Sequence, residues 1–373
     1  MSKKILVVRY RFIGDMILTI PFLRNLRYKY PDAQIDMLVS PNSGEVIENC
    51  PYVNNFIYFD TTRKHKYENG KGKKLSFWHY VKLLRKEKYD KAYVLKRSLS
   101  SAMLCFLAGI KERIGYDTEG RRFLLTQGVK YNTEKHESLC FLDVLEAEGF
   151  EVKDTHLENW IKQENTDKVI NLFNENNITS NTKAVVNVTA TNEGKVWDIK
   201  NFIEIIEYLS NKKNTQVIFI GAPSDKQTYD EIKYNNELKI KPVNLCGQVN
   251  LKDSLALLKE VDLMIGNDSG NLHMAASVGT KVIGLYGPMP FEKWKALGDG
   301  HKLLKANLDC MPCSLRGTCP NNKACMKAIT VEQVKQAIDE VLKHWKYSII
   351  VFIICINSYM SNENSHYNKH SWF

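Results

Sequence analysis

The chain has 373 residues, 44% of them hydrophobic and 25% charged. That length holds two domains of ordinary size, and that balance is globular and excludes a disordered chain. The net charge is +10 and it is concentrated: residues 61–122 hold 17 Lys and Arg against 6 Asp and Glu, leaving the remainder close to neutral.

Residues 4–8 read as a first strand and RYRFIGD (9–15) as the loop after it. A helix over 16–30 follows, with Ile17, Ile20, Leu23 and Leu26 on one face and Pro31 at its end. Strands are expected over 35–39, 56–59, 91–95 and 112–116. The helices expected in this part start at 46 and cover 77–88, 100–108 and 136–150. Residues 61–76 are polar, basic and glycine-containing, which reads as a mobile loop. Alternation of this kind implies a parallel, doubly wound sheet.

Residues 151–165 read as a linker with one short strand, and the pattern then restarts. Strands are expected over 184–188, 216–221, 243–246, 263–265 and 281–286, with helices over 199–209, 224–234, 252–260 and 269–278. A last helix is expected over 331–344. The chain thus divides into domains 1–160 and 161–345, each Rossmann-like, with a cleft between their parallel sheets. Residues 346–373 form a tail whose run SIIVFIICI is too short to span a bilayer, followed by polar residues that read as disordered.

The most specific stretch is DLMIGNDSGNLHMAASVGTKVIGLYGPMP (262–290). It reads as strand, tight turn, helix, turn and strand, with Asp268 or Ser269 as the helix cap. Gly270 keeps side chains out of the turn, and a helix N-terminus beside glycines is a ready anion site. His273 lies one turn in, where it either packs or faces the same anion. GNDSG, HMAA, GTKV and GPMP together resemble the C-terminal signature of glycosyltransferase family 9, the ADP-heptose:lipopolysaccharide heptosyltransferases, of the heptosyltransferase II kind. Gly14-Asp15 and Pro21 match the family at the first loop, and Thr189 with Lys195-x-Trp197 matches it after the strand at 184–188.

The resemblance implies GT-B architecture and inverting sugar transfer from a nucleoside diphosphate, ADP-heptose, to an anionic lipid-linked oligosaccharide. It implies that Asp15 is the catalytic base, and inversion needs one carboxylate within reach of the acceptor hydroxyl. Lys195 neutralises the departing diphosphate. Thr189, Asp268, Ser269, Gly270 and His273 are the donor-binding candidates. Asp225 is placed either for a ribose hydroxyl or as a cap of its own helix. Arg9, Arg11, Arg63, Lys64 and Arg97 are candidates for the acceptor's acidic groups, or are surface arginines and lysines.

No Asp-x-Asp accompanies these motifs, so neither cofactor nor divalent metal is expected. Cys310, Cys313, Cys319 and Cys325 are structural thiols, a zinc cluster or a disulfide source; only one pair has the usual C-x2-C spacing. The start, MSKKILVVRYR, runs into a strand without a signal-peptide pattern, so a cytoplasmic chain with peripheral contact at the inner membrane face is expected. The basic region suits a phosphorylated glycolipid or a membrane surface. Nucleic acid is not expected, as no binding motif for it is present. Two other classes fit the motifs less well. An NAD(P)-dependent oxidoreductase wants G-x-G-x-x-G after the first strand, where this chain has one glycine. A non-catalytic glycolipid-binding relative would not need both Asp15 and Lys195.

Overall fold

The computed structural model describes residues 2–60, 75–233, 238–314 and 319–343. Among these residues twelve strands form two six-stranded sheets. The first contains β1 (Lys4–Val8), β2 (Gln34–Val39), β3 (Asn55–Tyr58), β4 (Lys91–Val94), β5 (Glu112–Tyr116) and β6 (Gln127–Val129), in the order β3-β2-β1-β4-β5-β6. The second contains β7 (Thr182–Asn187), β8 (Thr215–Phe219), β9 (Val243–Asn244), β10 (Leu263–Asn267), β11 (Lys281–Tyr286) and β12 (Lys302–Lys305), in the order β12-β11-β10-β7-β8-β9. Read within each half, the two orders are the same. Every pairing is parallel. Parallel sheets are covered on both faces, which is why KILVV, KAYV and LMIGN are apolar runs without alternation. All of β4, β8 and β10 is buried.

The first helix departs from the sequence reading. It runs from Ile13 to Lys29, so Gly14 and Asp15 lie in its first turn, not in the preceding loop. Every residue from Asp15 to Leu26 is buried. One apolar face was expected; burial all round follows because the helix lies between the helix Glu137–Glu146 of its own half and the helix Gly270–Ser277 of the other. A helix enclosed on all sides has no solvent face to mark with polar residues. Its buried polar residues are partnered instead. Arg24 pairs with Asp154 (2.6 Å) and Glu158 and donates to the His156 carbonyl (2.7 Å).

Asn25 donates to the Asp154 carbonyl (2.7 Å) and accepts the Lys153 N–H (2.8 Å). These bonds hold residues 151–162 as an irregular strap, so the short strand expected there is absent: its backbone groups are taken by side chains, not by a ladder. A helix over Gln163–Glu175, the strand β6 and the strand β12 were not anticipated. Residues 331–343 are helical, near the expected bounds. Arg63, Lys64, most of the 61–76 loop and the tail 346–373 lie outside the described residues.

Candidate active site

In each sheet the strand order reverses once, between β1 and β4 and between β7 and β10. Ligands in such sheets bind beyond the carboxyl ends of the strands at that point. The chain places its candidate residues there. Arg9, Arg11 and Asp15 follow β1, Arg97 follows β4, Thr189 and Lys195 follow β7, and Asp268 to His273 follow β10.

Asp15 is 8% exposed, at the third position of its helix. One carboxylate oxygen accepts the Phe12 N–H at 2.7 Å. The other is held by the Arg9 guanidinium, 4% exposed, so Arg9 is a buried partner of Asp15 and not a surface arginine. Arg9 also lies 3.9 Å from Glu137, whose side chain is fully buried, and packs over the Phe141 ring. Burial works against its charge, yet Asp15 and Glu137 hold its pKa above the ordinary value. Arg11 is half-buried on the same loop. Lys96, which sequence reasoning missed, completes the group after β4. Burial and the neighbouring Arg9 push its ammonium down to about 8. The Arg97 guanidinium stacks 4.0 Å over the Tyr131 ring.

In the second half two buried asparagines set the loops. Asn187 accepts the Thr189 N–H (3.1 Å), the Thr189 hydroxyl (3.2 Å) and the Tyr229 hydroxyl (3.0 Å). Asn267 accepts the Trp197 N–H (3.0 Å) and donates to the Val188 carbonyl (3.0 Å). Trp197 is 1% exposed and its indole N–H donates to the Ile329 carbonyl at 2.9 Å. This anchor explains the K-x-W spacing: Trp197 fixes the loop, and Lys195 two residues earlier reaches Asp268 at 2.7 Å. Ser269 takes the cap position of the helix Gly270–Ser277 without a side-chain cap bond.

The two halves meet at this place. A Cβ on Gly14 would lie 3.0 Å from His273 Cδ2, and one on Gly270 would lie 3.2 Å from the Gly14 nitrogen. Only glycines permit two helix N-termini to approach so closely. Both helices thus point their positive ends at one place, among Arg9, Arg11, Lys96, Arg97 and Lys195. His273 is 4% exposed, and burial, with His136 and Lys195 nearby, pushes its pKa down to about 3. It is therefore neutral near pH 7 and offers no charge to an anion. The arrangement can bind a polyanion between the halves and set one carboxylate beside it.

Other candidates lie elsewhere. Asp225 accepts the Ala222 N–H (3.1 Å), which is the capping alternative, and Gly221 lies against it. Cys310, Cys313, Cys319 and Cys325 line one cavity of about 120 Å³ with Gly194 and Pro288. Among the described residues no three Cys, His, Asp or Glu side chains are arranged to hold a metal ion. Glu137 and Lys293 were missed. Neither belongs to a motif, and a buried ionic contact between halves leaves no local pattern in sequence.

Two parallel Rossmann-like sheets meeting at their switch points define a GT-B glycosyltransferase fold. The profile of glycosyltransferase family 9 (heptosyltransferase) matches residues 77–324. The lipopolysaccharide heptosyltransferase 2 of Escherichia coli strain K12 is 26% identical over 296 residues, 76% of this chain and 83% of that protein. The lipooligosaccharide heptosyltransferase 2 of Campylobacter jejuni is 25% identical over 364 residues, 91% of this chain and 99% of that one. The crystal structure of a family 9 glycosyltransferase from Veillonella parvula superposes with a TM-score of 0.79 at 21% identity, covering 92% of this chain and 98% of that one. The E. coli ADP-heptose LPS heptosyltransferase II superposes at 0.75 and 22% identity, covering 92% and 99%. The chain belongs to glycosyltransferase family 9, and it is a glycosyltransferase.

Proposed function

We propose that this enzyme transfers a heptosyl group from ADP-heptose, with inversion, to a hydroxyl of the lipopolysaccharide inner core, on a Kdo or heptosyl residue. The observation that carries this reading is one buried carboxylate, Asp15, set among cations where the two halves touch. The relatives are named for heptosyl transfer to lipopolysaccharide and lipooligosaccharide.

In this reading the second half holds the nucleotide. The N-terminus of the helix Gly270–Ser277 and Lys195 face the diphosphate, and Lys195 moves from Asp268 onto it. Thr189, Ser269 and the backbone of Gly270 line the same site. The first half holds the acceptor, with Arg11, Lys96 and Arg97 toward its acidic groups. The acceptor oxygen attacks the anomeric carbon while its proton passes to Asp15. The bond from that carbon to the phosphate oxygen breaks, and the nucleoside diphosphate leaves with the electron pair. Lys195 and the helix N-terminus meet the developing charge.

The site residues, the domain division and a peripheral membrane contact all belong to this proposal. The basic first half also exposes Trp78 (61%), Phe123 (73%) and Phe106 (47%), which suits an anionic lipid surface. Among the described residues no helix is long and apolar enough to cross a membrane.

The test is transfer by the purified enzyme to truncated core glycolipids, read by mass spectrometry. A gain of one heptosyl unit from ADP-heptose, with no gain from ADP-hexoses, is expected. Transfer only from another sugar nucleotide would overturn the donor assignment.

A further inference from the structure

Arg9 faces two carboxylates at once. It holds Asp15 closely and lies 3.9 Å from Glu137 Oε1. That second contact is incomplete: Glu137 Oε1 and Arg9 Nε are both buried without a hydrogen-bond partner among the described residues. The other Glu137 oxygen is well served. The Tyr131 hydroxyl donates to it at 2.5 Å, and Lys293 Nζ lies 3.2 Å away.

Lys293 comes from the second half, on the short helix Phe291–Trp294 after β11. It is 6% exposed, and it donates to the carbonyls of Asn132 (3.1 Å) and Lys135 (3.2 Å) of the first half. Beside it the His136 imidazole meets the Lys295 carbonyl at 3.0 Å. A buried ammonium thus crosses between the halves and ends on the carboxylate that competes for Arg9.

We infer that Arg9 is shared between Asp15 and Glu137, and that Lys293 sets the division. With Lys293 seated, Glu137 is neutralised and Arg9 stays on Asp15. When the halves part, Lys293 leaves, Glu137 draws Arg9 away, and Asp15 loses its support. Seating of the two halves therefore tunes the base, and Glu137 and Lys293 are positioning residues. The inference rests on the reading of Asp15 as base only for its effect on turnover. The sharing of Arg9 is a property of the protein without substrate.

The charged and titratable groups around the Arg9–Asp15 pair are Lys96 after β4 with Arg11 and Arg97 beside it, Tyr116 of β5 and Glu137 against Arg9, and His273 of the second half against Gly14. His273 is neutral above about pH 3. Lys96 stays cationic below about pH 8, above the range in which a carboxylate titrates. Removing the Glu137 charge leaves Arg9 wholly to Asp15 and lowers the Asp15 midpoint. Removing the Lys293 charge frees Glu137 to compete and raises it. A change of neighbouring charge moves such a midpoint by about one pH unit.

The experiment is a pH titration of Asp15 by the carboxyl carbon resonance of protein labelled at aspartate, in wild type, Glu137→Gln and Lys293→Met. The resonance is assigned by its loss in Asp15→Asn. The expected midpoint falls by about one unit in Glu137→Gln and rises by about one unit in Lys293→Met. The acid limb of kcat/KM moves in the same two directions. Lys293→Arg restores the wild-type midpoint. Midpoints that stay fixed, or move together in one direction, would overturn the inference. Should Glu137→Gln fail to fold, the rise in Lys293→Met and its reversal in Lys293→Arg decide alone. Full turnover in Asp15→Asn would defeat the base reading and leave the resonance test of the sharing intact.

Discussion

Lys195 meets Asp268 at 2.7 Å, so in the proposed site an arriving diphosphate competes for an ammonium already engaged. A charge-assisted contact is worth about 1.5–3 kcal/mol, so Lys195→Ala should weaken nucleoside diphosphate binding roughly 10- to 100-fold. Calorimetric titration measures this, and acceptor binding should be unchanged. Titration of histidine gives a second consequence. Burial lowers His273 to about 3, and lowers His136 and His301 as well. A histidine unfolds to a pKa near 6.5. Below that pH the unfolded chain binds protons that the native one refuses, so stability is lost as pH falls. For His273 the window is about 6.5 down to 3, with a slope up to about 1.4 kcal/mol per unit. Urea midpoints at pH 7 and pH 5 should show the loss, and His273→Gln should reduce it.

The helix Ile13–Lys29 carries both Asp15 and the join between halves. Arg24 on its far side ties the strap at residues 151–162, with two carboxylates and a carbonyl as partners. Arg24 is buried while its carboxylate partners are about a quarter exposed. Losing such charge-assisted contacts costs about 1.5–3 kcal/mol, so Arg24→Ala should lower the urea midpoint accordingly while the folded fraction keeps its turnover. Nothing in the sequence announced this, because Arg24 and Asp154 lie far apart along the chain. What was legible was local. The strand runs stand out because parallel strands are apolar on both faces, and GNDSG stands out because a close approach of helix ends demands glycine. The strap, the edge strands β6 and β12 and the early start of the first helix were not legible. The first helix starts early because the Asp15 carboxylate, three residues along, accepts the Phe12 N–H, a local bond. The strap and the edge strands are decided by tertiary partners, Arg24 and a neighbouring strand. The same holds for the Lys195–Asp268 pair, whose members were each singled out without the contact between them.

At the scale of the whole molecule, the charge and the topology point the same way. The basic excess lies in residues 61–122, in the first half, and the K-x-W and GNDSG loops lie in the second. In the proposed division, charge reversal at Arg63, Lys64 and Lys66, outside the described residues, should raise the acceptor KM. The effect should shrink as salt rises from 0.05 to 0.5 M, in keeping with a Debye length of about 10 Å at 0.1 M. Nucleotide affinity should not change.

In the proposed mechanism Asp15, gripped by Arg9 where the halves meet, takes the acceptor's proton. The most direct measurement is single-turnover transfer by Asp15→Asn, beside calorimetric titration with nucleoside diphosphate. The substitution keeps the shape of the side chain and removes its charge. A rate lower by about 10²–10⁴ with unchanged nucleotide affinity is the expected result. Transfer at the wild-type rate would show that Asp15 only holds the helix start and that the proton goes elsewhere.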